Sequence, residues 1–223
     1  MPSPASVVRA GIACGVLAPL WWVACIFGLG LFVPGYSLTA DFISALGARG
    51  SPVESVMVYG GFGLSGVLYL AFALAAAWQM RHDRWALGAA LLLLLTGVAR
   101  IATGVYPCDP GCSPVHESNT QETHRQLATA GYLLMMLAAG MWAARGAQHA
   151  RLKPVIGWAI GGISWSAVCL VMMFVQPDWQ GLFQRFAGLA LNAWVVVLAL
   201  CLWHSVADPA PAVSPASAHR RKR

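Results

Sequence analysis

The sequence predicts an all-α membrane protein, a bundle of six spanning helices, and three observations predict it. Hydrophobic residues make up 58% of the 223 positions and charged residues only 10%, where a soluble domain carries roughly a quarter charged. The 14 basic and 8 acidic side chains are clustered, leaving uncharged runs long enough to cross a hydrocarbon core of ~30 Å at ~1.5 Å per helical residue. The basic residues also fall at alternate ends of those runs, as they do in a polytopic chain.

Taken in order, the spans are expected at about 7–32, 54–80, 85–106, 124–145, 154–176 and 181–204. The first carries Arg9 near its start, but its apolar run is too long for a signal-peptide core and no small-x-small cleavage site follows promptly, so it reads as retained. Its Gly11-xxx-Gly15 pair, like Gly157-xxx-Gly161 in the fifth span, allows close helix approach. Gly60, Gly61, Gly63, Ser65 and Gly66 make the second helix slim. In the third, Thr96, Arg100, Thr103 and Tyr106 are spaced to share one face. The sixth repeats a polar stripe with Gln184, Arg185, Gly188 and Asn192. Trp78, Trp85, Trp142, Trp158 and Trp203 fall near one set of helix ends and read as interfacial anchors, whereas Trp21 and Trp22 read as packing residues. Residues 207–223, rich in Pro, Ala and Ser and ending in four basic residues, read as a disordered tail that meets anionic lipid rather than nucleic acid.

An even number of spans puts both termini on one side. Arg9, Arg81, Arg84, Arg145, Arg151, Lys153 and the terminal Arg220, Arg221, Lys222 and Arg223 share that side, which the positive-inside rule makes cytoplasmic. Six of the eight acids lie opposite, with Arg49, Arg100, Arg125 and Arg185.

Two outward connections, 33–52 and 107–123, carry the remaining chemistry. Asp41 to Gly47 reads as a short turn lying as a lid on the bundle, with Asp41 as its N-cap and Gly47 as its C-cap. Cys108 and Cys112 flank a Pro-Gly turn on the oxidising face, which favours a disulfide, while Cys14, Cys25, Cys169 and Cys201 read as packing residues. The alternative is zinc held by Cys108, Cys112, His116 and His124, or by His116, His124, Asp41 and Asp109 in an outward-facing hydrolase with Glu117 or Glu122 as base. No haem is expected, no cofactor is the first expectation, and no catalytic residue is assigned.

An arginine within a membrane span is costly and ordinarily has company. If Arg100 and Arg185 converge in an outer-half cavity, their guanidinium forks suit an anionic lipid headgroup or small metabolite. The competing structural reading pairs them with Asp41, Asp109 or Asp178 to fasten loops in an assembly protein.

Ile43-Ser44-Ala45-Leu46-Gly47, Gly104-Val105-Tyr106-Pro107-Cys108-Asp109 and His124-Arg125-Gln126-Leu127-Ala128 resemble the DUF 998 family of prokaryotic multi-pass membrane proteins, itself distantly similar to the DRAM-like group. The resemblance implies a six-span body in a prokaryotic inner membrane, and Ser44, Gly47, Pro107, Asp109 and His124 as pattern positions near the outer face. It brings no settled activity. Arg100, Arg185, Asp41, Ser44, Thr103, Tyr106, Asp109, His124, Gln184 and Asn192 are therefore the expected ligand-binding set.

Overall fold

The computed structural model describes residues 3–112 and 118–207. Among them every regular element is helical, and six helices are long and apolar enough to cross a membrane. The first, α1 (Pro4–Gly28), starts on a Ser3 cap with Pro4 in its first turn, and runs on as a 3-10 turn, Leu29–Phe32. A π-helical stretch, Val56–Leu64, leads into α2 (Ser65–Gln79). Next come α3 (Arg84–Val105), α4 (Asn119–Gly146), α5 (Lys153–Val175) and α6 (Gln180–Ala207). The expected tail lies outside the described residues beyond 207.

Consecutive helices pack on one another and α6 returns to α1, closing a ring, with α6 also touching α2 and α4. The interior is rich in alanine: Ala76, Ala86, Ala89, Ala138, Ala139, Ala159 and Ala199 are fully buried, with Trp142 and Trp194 filling the wider levels. Small side chains let helices approach closely where no hydrophobic force separates interior from lipid. Phe174, Leu74 and Val171 project outward from the ring, an apolar exterior that water would penalise and hydrocarbon accepts. Trp142 thus departs from its expected anchoring role: it is wholly buried, whereas Trp78, Trp85 and Trp158 are more than half exposed.

Glycines set two of the crossings. A Cβ on Gly66 would stand 2.8 Å from the carbonyl oxygen of Gly97, and one on Gly97 would stand 2.9 Å from that of Gly66, so α2 and α3 touch backbone to backbone. Gly11 lies equally close against Ala75 of α2. Gly157 and Gly161, by contrast, meet nothing within 4 Å, because α5 presents Gly162 rather than those two to α6. The expectation that this pair mediates an approach within the chain is corrected.

The second span also departs from a plain α-helix. Its glycines widen a π turn whose loosened carbonyls find side-chain donors: Trp21 Nε1 donates to Gly60 O at 2.7 Å and the Ser65 hydroxyl donates to Gly61 O. The fourth helix begins five residues before its expected start at 124. Ser118 caps it, accepting from the Gln121 N–H at 3.2 Å in a Ser-x-x-Gln pattern.

At the same end, the lid turn forms as a 3-10 helix, Ile43–Gly47, with Ile43 and Leu46 buried against Trp22, Met57 and Phe62. Neither expected cap serves it. The Asp41 carboxylate accepts from Ser37 N–H at 2.7 Å instead, closing its own loop. Gly47 sits inside the turn, where a Cβ would press to 3.3 Å on Met57 and Phe62. Close packing, not a left-handed backbone, explains that glycine.

Candidate functional site

Arg100 turns inward from α3. Its guanidinium carbon lies 4.2 Å from the centroid of Trp22 on α1 and 5.2 Å from that of Tyr69 on α2, with Tyr132 of α4 in electrostatic range. Guanidinium groups stack on such faces because the ring quadrupole attracts the cation. The residue as a whole is partly accessible, yet Nη1 is fully occluded and has no hydrogen-bond partner. Among the described residues no carboxylate pairs with Arg100.

A second orphan atom lies at the same end of the bundle. Nδ1 of buried His124 faces the carbonyl oxygens of Thr103 at 3.0 Å and Tyr106 at 2.7 Å. Two acceptors there require the proton on Nδ1, so Nε2 of the neutral ring carries a lone pair, and Nε2 is buried without a partner. His124 joins the aromatic group through Phe62, whose ring lies 6.1 Å from the imidazole and 5.3 Å from Trp22. Tyr69 links the group to α6, donating to Asn192 Oδ1 at 2.6 Å, while Asn192 donates to Gly188 O at 2.6 Å.

Arg185 is placed differently. It is completely buried, and Nη1 donates to Leu38 O at 2.8 Å, Gly181 O at 2.9 Å and Asp41 O at 3.1 Å, while Nη2 donates to the Tyr36 hydroxyl. Gln184 accepts from the Ile43 N–H at 2.6 Å, and Leu182 N–H donates to Thr39 O at 3.0 Å. The start of α6 thus holds the first outer loop through backbone carbonyls and amides rather than by an ion pair with Asp41, as the structural reading expected. Burial lifts the Tyr36 phenol above its ordinary value, with the Arg185 charge opposing, so it stays protonated and donates to Phe42 O at 3.0 Å.

The other expected residues are distributed around this pair of arginines. The hydroxyls of Thr96 and Thr103 bond back to Leu92 O and Ala99 O of their own helix, so the α3 stripe is not a row of free donors. Tyr106 contributes its carbonyl to His124 and leaves its ring exposed. Ser44 is half-buried in the lid turn. Cys108 and Cys112 form a disulfide packed under Ala48, and Arg49 N–H donates to Cys108 O at 3.0 Å, tying the two outer loops together.

Asp109 accepts from the Ser118 N–H and hydroxyl, both at 2.8 Å, which hold its carboxyl below the usual range, with Arg49 adding to the effect. With Asp41 and Asp109 each engaged within the loops, a zinc set would need His116, which lies outside the described residues with Glu117. Among the described residues no three His, Cys, Asp or Glu side chains converge.

Trp22, Phe62, Tyr69 and Tyr132 were not foreseen as site residues. Apolar and aromatic positions in a span carry no mark that separates a cation's platform from ordinary packing; the Tyr69 and Tyr132 phenols at mid-span are the available signals.

The class defined by these features is a six-span helical membrane protein with an inward-turned arginine on an aromatic platform at its disulfide-closed end. The DUF998 family, described as protein of unknown function, matches this chain over residues 16–201, and the chain belongs to that family. No curated protein and no solved structure matches it.

Proposed function

We propose that this protein binds an anionic group, a carboxylate or phosphate borne by a membrane lipid or small metabolite, at the disulfide end of its bundle, as a carrier, sensor or organiser. The observation that carries the reading is the Nη1 atom of Arg100, buried and unpartnered on Trp22 and Tyr69, with no acid beside it among the described residues. A buried guanidinium without a counter-charge is costly to keep. An oxygen anion would complete it, and the Nε2 lone pair of His124 is available to accept from a hydroxyl of the bound molecule.

Arg185 is a clamp in this reading, not half of a two-arginine receptor, since its terminal nitrogens are taken by the loop. The basic residues at the opposite end support placing both termini in the cytoplasm, and the family resemblance supports a prokaryotic inner membrane.

The test compares lipids and metabolites retained by wild type and Arg100→Gln in native mass spectrometry. An anionic species retained by wild type should fall about tenfold or more in the variant, the scale of a charge-assisted hydrogen bond of ~1.5–3 kcal/mol. Equal retention by a folded variant would sink the reading.

A further inference from the structure

The basic end of the bundle holds a polar cavity, remote from the Arg100 site. His82, Asp83, Arg84, Arg145 and His149 line a cavity of about 570 Å³ between the turn joining α2 to α3 and the end of α4. Its one carboxylate is already in use. Asp83 Oδ1 accepts from Trp85 N–H at 3.0 Å and Ala86 N–H at 3.1 Å to cap α3, and Oδ2 takes Arg145 Nη2 and lies 3.2 Å from His149 Nε2.

What is left over is positive. Nε of Arg145 is buried without a partner. The Arg84 guanidinium rests at 5.9 Å on the Trp85 ring and meets no acid among the described residues. Two arginines against one carboxylate leave the cavity cationic even with both histidines neutral. On the helices beside it, Trp78 and Trp85 are each 58% exposed, and Arg81 stacks on Trp78 at 5.5 Å as Arg84 does on Trp85. Tryptophans of this kind sit at the level of lipid headgroups, and basic cavities between membrane helices there take phosphate-bearing lipids.

We propose that this cavity is a binding site for the phosphate of an anionic phospholipid, with Arg84 and His82 as its accessible contacts and Arg145 as its floor. Asp83 fixes Arg145 and so orients the cation instead of cancelling the site. The site is independent of Arg100: either can fail without the other.

The test uses the purified full chain in detergent, titrated with phosphatidylglycerol, with phosphatidylcholine, and with inorganic phosphate as competitor, read by native mass spectrometry. Wild type should bind phosphatidylglycerol in preference to phosphatidylcholine. Arg84→Gln, at an exposed side chain, should weaken it about fivefold, equivalent to ~1 kcal/mol for the charge removed, and adding His82→Gln, also exposed, should weaken it further through the lost hydrogen bond. Arg100→Gln should leave this binding unchanged. No preference between the two lipids, or full preference kept by the Arg84→Gln/His82→Gln double variant, overturns the proposal. Binding of inorganic phosphate at this cavity with no lipid preference assigns it to soluble phosphate esters and overturns the lipid assignment.

Discussion

Two arginines of the same type, at the same end of one bundle, answer substitution in opposite ways. Arg185 satisfies the carbonyls of Leu38, Asp41 and Gly181, so Arg185→Met strands them and should cost about 3 kcal/mol or more. Arg100 satisfies no acceptor among the described residues and gains only its ring contacts, worth ~0.5–2 kcal/mol each against a desolvation cost of at least that size. Arg100→Met should therefore change the thermal midpoint in detergent little, or raise it, while anion retention is lost. A fall as large as that of Arg185→Met would make Arg100 a structural residue. Both arginines stand out in the sequence because a charge in an apolar run is conspicuous. Their different fates do not, since the partners of Arg185 are backbone carbonyls, which every residue has, and those of Arg100 are rings that look like packing.

Among the elements, the crossing of α2 with α3 and the contact of the α2–α3 turn with the end of α4 bear the clearest consequences. Gly97→Ala would drive a methyl into the Gly66 carbonyl and force the helices apart, an overpacking expected to cost about 1–3 kcal/mol. Gly157→Ala meets open space and should be neutral or stabilising by the ~1 kcal/mol helix preference of alanine over glycine. Thermal unfolding of the two variants side by side separates crossing from propensity.

Where the α2–α3 turn meets the end of α4, burial works to raise the Asp83 carboxyl, but the Ala86 N–H, His149 and Arg145 outweigh it and hold the carboxyl below its usual range. A depressed carboxyl stabilises fully above its unfolded value of ~3.9 and loses that contribution as pH falls through the folded value. The wild-type unfolding midpoint should fall on acidification in that window, and Asp83→Asn should start lower and fall less. An equal fall in both would remove Asp83 from the account. The number of helices and their approximate ends were legible because charges and length set them. The π turn and the early start of α4 were less so: the first depends on where carbonyls find new donors, and the second on a Ser118 cap hidden in a polar loop.

At the scale of the whole molecule, the separation of chemistry between the two ends is the organising fact. The disulfide, the lid and the arginine site occupy one end, while Asp83, Arg145 and the exposed Trp78 and Trp85 occupy the other. Topology reporters follow from it: alkaline phosphatase fused after Cys112 should be active and a fusion after Ala207 inactive, whereas the reverse pattern would invert the orientation taken from the basic residues. The sequence carried this polarity in its charges. It could not carry the ring closure of α6 on α1, which joins the two extremes of the chain through apolar contacts of no special composition.

That closure has a bearing on biogenesis. The carbonyls of Leu38 and Asp41 emerge well before their donor, Arg185, which belongs to α6. Helices α1 to α5 therefore wait with an open seam and an unfastened loop until α6 is made, and a nascent chain halted before α6 would present that seam to whatever proteases patrol the bilayer.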